Sequence, residues 1–262
     1  MEKLNKYVEG MTGSCLTDRQ LEQFEKYYEM LIEKNKVMNL TAITDKDEVV
    51  LKHFIDSVAL GSYFDLKDKT INVIDVGTGA GFPGIPLKIV FPGLNMTLFD
   101  SLNKRVKFLQ EVIDELGLDG GKATKNNLED STDIEVKKEL STGSCIAVHG
   151  RAEEGGRDRN MRERYDLVVS RAVANMAVLS EYCIPFVKQD GYFIPYKTGK
   201  IEEELSEGKK AISILGGKYE KTEKLFLPDS DISRSFVFIK KIKVTPKTYP
   251  RKAGTANKQP LK

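Results

Sequence analysis

The chain has 262 residues, 40% of them hydrophobic, and a formal net charge of +2. This length fits one large domain, or one domain with a small extension, and no apolar run is long enough to span a bilayer. The three cysteines, Cys15, Cys145 and Cys183, have no metal-ligand spacing and leave one thiol over. Together with the presence of only two histidines, they predict a reduced, cytoplasmic protein without a zinc site.

The first 65 residues have the pattern of helices. Thr17 and Gln20 have the spacing of a capping box, and apolar residues then recur with helical period. A second helix is expected to begin near Thr44. Between the two helices lies a break at 39–43, where Asn39 is expected to cap or to turn the chain. These features predict a helical N-terminal extension over residues 1–65.

From residue 71, predicted strands and helices alternate. The predicted strands are 72–77, 95–100, 146–150, 165–170, 191–196 and 235–242; the predicted helices are 84–91, 103–116, 175–187 and 200–215. Such alternation predicts an α/β fold with a doubly wound, Rossmann-like parallel sheet, which we assign to a domain of residues 66–243. A short segment at 224–227 and the last strand suit an antiparallel edge, and residues 119–144 have the composition of a surface insertion.

The stretch from Asn72 to Gly84 has the layout of a nucleotide-cofactor cleft. An apolar strand runs into Asp75, a loop with Gly77, Gly79 and Gly81 follows, and a second strand ends in Asp100. Glycines allow the backbone to approach a ligand, and Asp100 is placed to hold two ribose hydroxyls.

Two registers of these glycines are possible, and they predict different cofactors. Counted from Gly77, the motif follows the strand directly, Asp75 can brace the loop, and the form resembles motif I of class I S-adenosylmethionine (SAM) methyltransferases. Counted from Gly79, it matches the dinucleotide fingerprint, but its last glycine, Gly84, then falls inside a helix after Pro83. We favour SAM, and an NAD(P)-dependent oxidoreductase remains the alternative.

More candidate side chains follow the later strands, at the edge where doubly wound folds bind ligands. Glu153, or the backbone around Ala152, could read the adenine ring; the alternative is an ordinary acid at a helix start. Arg171 follows a strand that reads as buried and has a planar, permanently charged fork for a carboxylate or a base edge. The four arginines between 157 and 164 alternate with acids and read mainly as a solvated face.

The basic residues are unevenly distributed. Eight Lys or Arg and no acid lie between Lys240 and Lys262, so that the rest of the chain is acidic. A basic tail over 244–262 suggests contact with a polyanion, and a solvated terminus explains the charge about equally well.

Six blocks in order, over nearly the whole chain, resemble the RsmG family (also GidB, glucose-inhibited division protein B) of 16S ribosomal RNA guanine-N7 methyltransferases. They are 35–41, 53–57, 75–86 with its Gly-Phe-Pro-Gly-Ile-Pro signature, 100–105, 150–153 with 170–172, and 249–254. The chain departs from the family at the insertion 119–144 and at Ala256, where proline is common.

The resemblance implies a SAM-dependent enzyme that methylates N7 of one guanine, guanine 527, in 16S rRNA or the small ribosomal subunit. N7 carries a lone pair, so that no general base is required. The implied enzyme uses no metal and contacts no membrane, and we expect a monomer. A SAM-binding ribosome-assembly factor without catalytic activity is the further alternative.

The resemblance also assigns site residues, in three groups. Together with the loop residues named above, the cofactor contacts are Asp75, Gly77, Gly79, Gly81, Phe82, Asp100, Ser101, Leu102, Ala152, Glu153 and Arg171. The catalytic candidates are Arg171 and Asn39. The candidates for RNA binding are His53, Asp56, Arg251 and Lys252.

Overall fold

The computed structural model describes residues 1–120, 143–171, 174–198 and 201–261. In chain order the helices are α1 (Glu2–Thr12), α2 (Asp18–Met38), α3 (Lys46–Val49), α4 (Asp56–Val58), α5 (Gly84–Val90), α6 (Asn103–Leu116), α7 (Ala152–Gly155), α8 (Met176–Cys183), α9 (Glu202–Ile214) and α10 (Thr255–Lys258). A π-helical stretch, Val50–Ile55, joins α3 to α4. Most of the predicted insertion, residues 121–142, lies outside the described residues.

The seven strands form one sheet in the order β3-β2-β1-β4-β5-β7-β6. They are β1 (Asn72–Val76), β2 (Asn95–Asp100), β3 (Cys145–His149), β4 (Tyr165–Ser170), β5 (Val187–Thr198), β6 (Gly217–Phe226) and β7 (Ser233–Lys241). The first five are parallel, and β7 pairs antiparallel with both β5 and β6. The expected doubly wound sheet with an antiparallel edge is therefore confirmed.

Helices cover both faces of this sheet. Along β4, Leu167 and Val169 pack into a core shared with α1, α2, α5 and α6, whereas Val168 packs into a second core with α8 and α9. This alternation follows from the two-residue period of a strand. The N-terminal helices therefore pack in the same hydrophobic core as one face of the sheet.

Several predicted elements differ from the observed ones. The predicted helix 175–187 is too long, because α8 ends at Cys183, a 3₁₀ turn with Pro185 follows, and β5 begins at Val187. The segment at 224–227 is the end of the much longer β6. The polar helix α1 lies within the predicted helical extension but was not predicted as a separate helix; it buries only Leu4 and Val8 among its eleven residues, so that its apolar signal is weak. The capping box of Thr17 and Gln20 is present at the start of α2.

The C-terminal segment is packed on the body, and we call residues 244–261 the strap. Its start is fixed where the buried Lys241 ammonium donates to Thr245 Oγ1 (2.7 Å) and to two backbone carbonyls. Burial lowers the pKa of Lys241 to about 8. The guanidinium of Arg162 donates to the Thr245 and Tyr249 carbonyls at 2.7 and 2.8 Å, and Arg157 Nε donates to the Pro250 carbonyl at 2.7 Å. The interpretation of the arginines 157–164 as a solvated face is thus wrong for Arg162, which is half-buried beneath the strap, whereas Arg157 is exposed although it contacts the strap.

Candidate cofactor cleft and its neighbouring arginine network

The candidate site lies at the carboxyl edge of the parallel strands. Asp75 lies at the end of β1, Asp100 ends β2, and Arg171 directly follows β4. Since β1 lies between β2 and β4, the structure brings together three side chains that are far apart in sequence. This edge is where ligands bind in open α/β sheets.

The glycine loop between β1 and α5 needs its glycines. Gly77, Gly79 and Gly81 all have positive φ, at 73°, 63° and 109°, which is strained for side chains with a Cβ. A Cβ on Gly79 would meet no atom within 4 Å, whereas one on Gly81 would strike Ile85 and Tyr27. Gly79 therefore faces open space where a ligand can approach the backbone. Gly84 is the first residue of α5 and has no positive φ, which agrees with the register counted from Gly77.

Asp75 braces this loop from beneath. It is fully buried, and its Oδ2 accepts from Thr78 Oγ1 at 2.6 Å and from the Gly84 backbone N–H at 2.9 Å. Burial raises its pKa to about 6, although these hydrogen bonds oppose the shift. Among the described residues, Asp75 Oδ1 has no hydrogen-bond partner, which is an unusual state for a buried oxygen. Asp75 therefore holds the loop from a fully buried position.

Asp100 connects the loop to the turn after β2. Its Oδ2 accepts from the Gly79 N–H and its Oδ1 from the Leu102 N–H, both at 2.9 Å, and Arg105 lies 3.6 Å from Oδ2. A carboxylate has about four acceptor positions, so that ribose hydroxyls can still bind. Leu102 is 42% exposed and offers an apolar surface beside this carboxylate. The neighbouring Ser101 carbonyl lies 3.1 Å from His149 Nε2.

The third predicted segment, Ala152 and Glu153, forms α7 after β3. Glu153 is only 8% exposed, and its Oε1 accepts the backbone N–H of Gly254 at 3.0 Å. The strap therefore holds the residue that the resemblance assigns to the cofactor. Arg251, predicted to bind RNA, is in a bidentate pair with Glu181, whose Oε2 lies 2.6 Å from Arg251 Nη2. This geometry favours a structural role for Arg251, whereas Lys252 is exposed.

Phe82 and Arg171 connect the loop to the helical extension. The Phe82 ring is stacked on the His53 ring with centroids 4.6 Å apart, and the Arg171 guanidinium lies 5.0 Å from the centroid of Phe82. Arg171 Nη1 donates to Asp56 Oδ2 at 3.0 Å, and its Nη2 lies 3.4 Å from His53 Nδ1. The π-helical stretch and the start of α4 supply His53 and Asp56, and π-helical turns are frequent at functional sites.

Asp56 and His53 are held inside this network. Asp56 is 1% exposed, and its Oδ1 accepts from Arg234 Nε at 2.7 Å. His53 Nε2 lies 2.8 Å from Thr41 Oγ1. Burial, reinforced by the positive charge of Arg171, lowers the pKa of His53 to about 4. His53 is therefore neutral at physiological pH, and both residues contact the guanidinium of Arg171.

The structure does not place Asn39 in this network. Asn39 ends α2 in the left-handed conformation, at φ 49°, and is exposed. The expectation that it caps or turns the chain is confirmed. Its neighbour Thr41 is the residue that reaches His53.

Sequence reasoning missed two residues at this site. Arg234 begins β7, an antiparallel strand whose register is not encoded in a local motif. Tyr27, buried on α2, donates its hydroxyl to the Ala80 carbonyl in the glycine loop at 2.7 Å. Its helical spacing could have marked it as a core residue, but not as a support of the loop.

The cleft has the features that SAM requires. A ribose can reach Asp100, an adenine can pack on Leu102, and the open backbone at Gly79 can approach the methionine end. Among the described residues, no group of three or more His, Cys, Asp or Glu is gathered to hold a metal ion. In the same ranges, no helix has the length and apolar character needed to cross a membrane.

The strand order and this cleft define a class I, Rossmann-like methyltransferase that uses SAM. Residues 20–136 and 133–233 match the family described as rRNA small subunit methyltransferase G (GidB). The chain is 49% identical to ribosomal RNA small subunit methyltransferase G of Lachnoclostridium phytofermentans, over 97% of this chain and 96% of the relative. It is 50% identical to the protein of the same name from Desulforamulus reducens, over 94% and 92%.

The chain therefore belongs to the family of small-subunit ribosomal RNA methyltransferases G, and the expectation from the sequence motifs is confirmed. Membership of this family overturns the alternative of an NAD(P)-dependent oxidoreductase. Among solved structures, a mutant of the protein MtNAS has a TM-score of 0.50 at 12% identity, covering 92% of this chain and 75% of that one. That likeness concerns the fold alone.

Proposed function

We propose that this methyltransferase transfers the methyl group of SAM to N7 of a single guanine in 16S rRNA, the guanine at position 527. The observation that carries the proposal is the enclosure of two of the titratable groups beside the cleft, His53 and Asp75. Burial and the charge of Arg171 lower the pKa of His53 to about 4, and Asp75 is fully buried beneath the loop. Both are therefore poorly suited to remove a proton from a substrate.

An acceptor atom that already has a lone pair suits such a site. Guanine N7 has this lone pair on the base edge and loses no proton when it is methylated. When SAM is bound, its sulfonium supplies an electrophilic methyl group. The work of the protein is then to orient the base, which is the main source of rate acceleration in such reactions.

We assign the cofactor to the loop residues Gly77 to Phe82, to Asp100 to Leu102, and to Ala152 and Glu153. Arg171 is the candidate catalytic group because its fork can hold guanine O6 or the methionine carboxylate without blocking N7. His53 and Asp56 fix the position of that fork. Asn39 and Lys252, which are exposed, stay candidates for contacts with RNA, and Arg251 is a weaker one because it is paired with Glu181.

The direct test is to map the modification. Small subunits from cells that lack this protein are incubated with the purified chain and SAM, and N7-methylguanosine is located by reduction and strand cleavage. We expect cleavage at one guanine only after incubation. With tritium-labelled SAM, incorporation without cleavage would refute the N7 assignment, and cleavage at another guanine would refute position 527. No incorporation at all would favour the non-catalytic assembly factor.

We also propose that the chain acts as a monomer and without a metal. Light scattering of the purified protein, and activity in the presence of EDTA, test the two statements separately.

A further inference from the structure

A second concave feature lies beside Arg171, on the side away from the glycine loop. It is a pocket of about 290 Å³ at the same edge of the sheet, above β5 and β7. Its charged lining is supplied by Lys52, Asp56, Arg171, Lys197 and Arg234. The carboxyl edge thus has two parts, the cofactor part over β1 to β3 and this pocket, with Arg171 between them.

The charges in the pocket are strongly unequal. Four of its five charged lining side chains are cations, and only Asp56 is an anion. Asp56 lies almost fully buried behind the two arginines, with one oxygen bonded to each. This arrangement fixes both guanidinium groups. Arg171 Nη1 also donates to the Lys52 carbonyl, and Arg234 Nη1 donates to the Ser233 carbonyl, so that in the described part of the chain Arg234 Nη2 is the terminal guanidinium nitrogen that has no acceptor.

The remaining two cations differ in how firmly they are held. Lys197 Nζ donates to the Ala174 carbonyl and to Glu204 Oε1, both at 2.6 Å. Lys52 Nζ contacts the half-exposed Glu48 carboxylate at 2.7 Å, one turn earlier on the surface. Lys52 can therefore turn toward a ligand at little cost, because an exposed ion pair of this kind contributes little to stability.

We propose that this pocket binds a backbone phosphate of the RNA strand that carries the methylated guanine. Fixed arginine forks and a lysine are the groups that recognise phosphate oxygens. An unstacked base would prefer an aromatic face, but the tyrosine in the lining, Tyr196, is only 3% exposed. The Phe82 ring beside the pocket is already enclosed by His53 and Arg171. The inference rests on the proposed function, since it takes an RNA strand as the substrate.

A phosphate contact at this place has a specific role. Phosphate contacts set the position and register of a nucleic acid without reading its sequence. Because Arg171 lines both parts of the edge, a phosphate held here fixes how far the next base can reach toward the cofactor. The pocket acts as a positioning site for the strand.

The test uses Lys52→Gln and Arg234→Lys. Lys52→Gln removes one cation without exposing a buried partner, and Arg234→Lys keeps the charge but cannot hold both Asp56 and a phosphate. Arg19→Gln is the matched control, since Arg19 is an exposed cation at the start of α2. Its neighbour Gln20 donates to the Ile89 and Val90 carbonyls at the C-terminal end of α5, and neither residue lines the pocket. The probe is the unmethylated small subunit, and its binding is measured without SAM at several salt concentrations.

We expect Lys52→Gln to weaken binding roughly tenfold and to reduce the slope of log K against log salt by about 0.7–0.9, the value for one lost phosphate contact. Arg234→Lys should weaken binding without changing the slope as much. Arg19→Gln should behave as wild type, and SAM affinity should be unchanged in Lys52→Gln. Melting temperatures verify that the variants are folded.

Wild-type affinity and slope in both pocket variants would overturn the inference. A loss of SAM affinity in Lys52→Gln with an unchanged salt slope would also overturn it, because the pocket would then hold the methionine carboxylate. Since binding is measured without methyl transfer, a chain that binds the particle but does not methylate it refutes the proposed function and leaves the pocket supported.

Discussion

Asp100 has two roles at the scale of a single residue, because it faces the cleft and also ties together two backbone segments. Asp100→Ala should weaken SAM binding by about 1.5–3 kcal/mol, the scale of lost charge-assisted hydrogen bonds. It should also lower the melting temperature, because the Gly79 and Leu102 N–H groups lose their acceptor. Calorimetry and thermal unfolding measure the two effects.

Asp100→Asn is the control for this variant, since it keeps one acceptor oxygen and a similar volume. It should retain more of the stability than of the SAM affinity. Unchanged affinity in Asp100→Ala would reject the ribose contact.

The proposed role of Arg171 in methyl transfer depends on the shape of its side chain as well as on its charge. It contacts Asp56, lies near His53 and covers the ring of Phe82. Arg171→Ala should reduce kcat strongly, and Arg171→Lys should not restore it, because an ammonium lacks the planar fork. Steady-state methylation of small subunits is the measurement; full activity of the lysine variant would show that charge alone is sufficient.

His53 should make folding stability depend on pH in a defined window. Its pKa is about 4 in the folded chain and 6.5 in the unfolded one. Between these values the unfolded state binds the proton and the native state does not, so that stability rises as pH increases from 4 to 6.5. Relative to His53→Gln, the wild type should gain up to about 3 kcal/mol across this window.

Chemical unfolding of both proteins at several pH values measures this difference. The comparison also removes the opposite contribution of Asp75, whose raised pKa makes stability fall between pH 4 and 6. A difference that stays constant from pH 4 to 6.5 would contradict a neutral, buried His53.

The residues at the strand ends could be predicted from sequence, and the network behind them could not. Asp75, Asp100 and Arg171 each follow an apolar run, and parallel strands bring such ends to one edge. Arg234 reaches the same edge from an antiparallel strand, and Asp56 from a π-helical turn. Neither position follows from local pattern, because both depend on tertiary packing.

At the scale of elements, the strap is the clearest case in which structure changes the interpretation. Its basic composition suggested contact with RNA, but Arg251 is paired with the buried Glu181, and Gly254 donates to Glu153. Removal of residues after Ile242 should therefore lower both the melting temperature and the SAM affinity. Both are measured on the truncated protein.

A point variant separates the two interpretations of the strap. Arg251→Ala removes the guanidinium that pairs with the buried Glu181 and leaves it only the backbone N–H of residue 251. It should destabilise the protein by up to about 3–5 kcal/mol, whereas Lys252→Ala, at the exposed neighbouring position, should be nearly neutral. If both variants are equally stable and both flatten the salt dependence of RNA binding, the strap is an RNA-binding tail.

Elements with a complete local signal were predicted well. The bounds of β2, β4 and α6 agree with the sequence pattern, because each has a continuous apolar signal and a clear end. The signal was insufficient for α1, which is mostly polar, and for β6, whose residues are mainly exposed at the edge of the sheet. Exposed elements lack the burial that makes a pattern readable.

At the scale of the whole molecule, the proposed cofactor cleft and the basic pocket lie at different halves of one sheet. The parallel strands β1 to β3 lead into the proposed cofactor residues, and the basic pocket lies above β5 and β7. The N-terminal helices supply residues that contact Arg171 between the two parts. The order of alternating elements predicted this architecture. The contribution of the N-terminal helices to the site was available only through the resemblance, since periodicity gives a buried face but not its partner.

The position of the strap also has a consequence for biosynthesis. Domains fold from the N-terminal side as the chain is synthesised, but the Gly254 N–H that holds Glu153 belongs to a segment translated about a hundred residues later. The proposed cofactor residue Glu153 of a nascent chain therefore lacks this partner until the strap has left the exit tunnel.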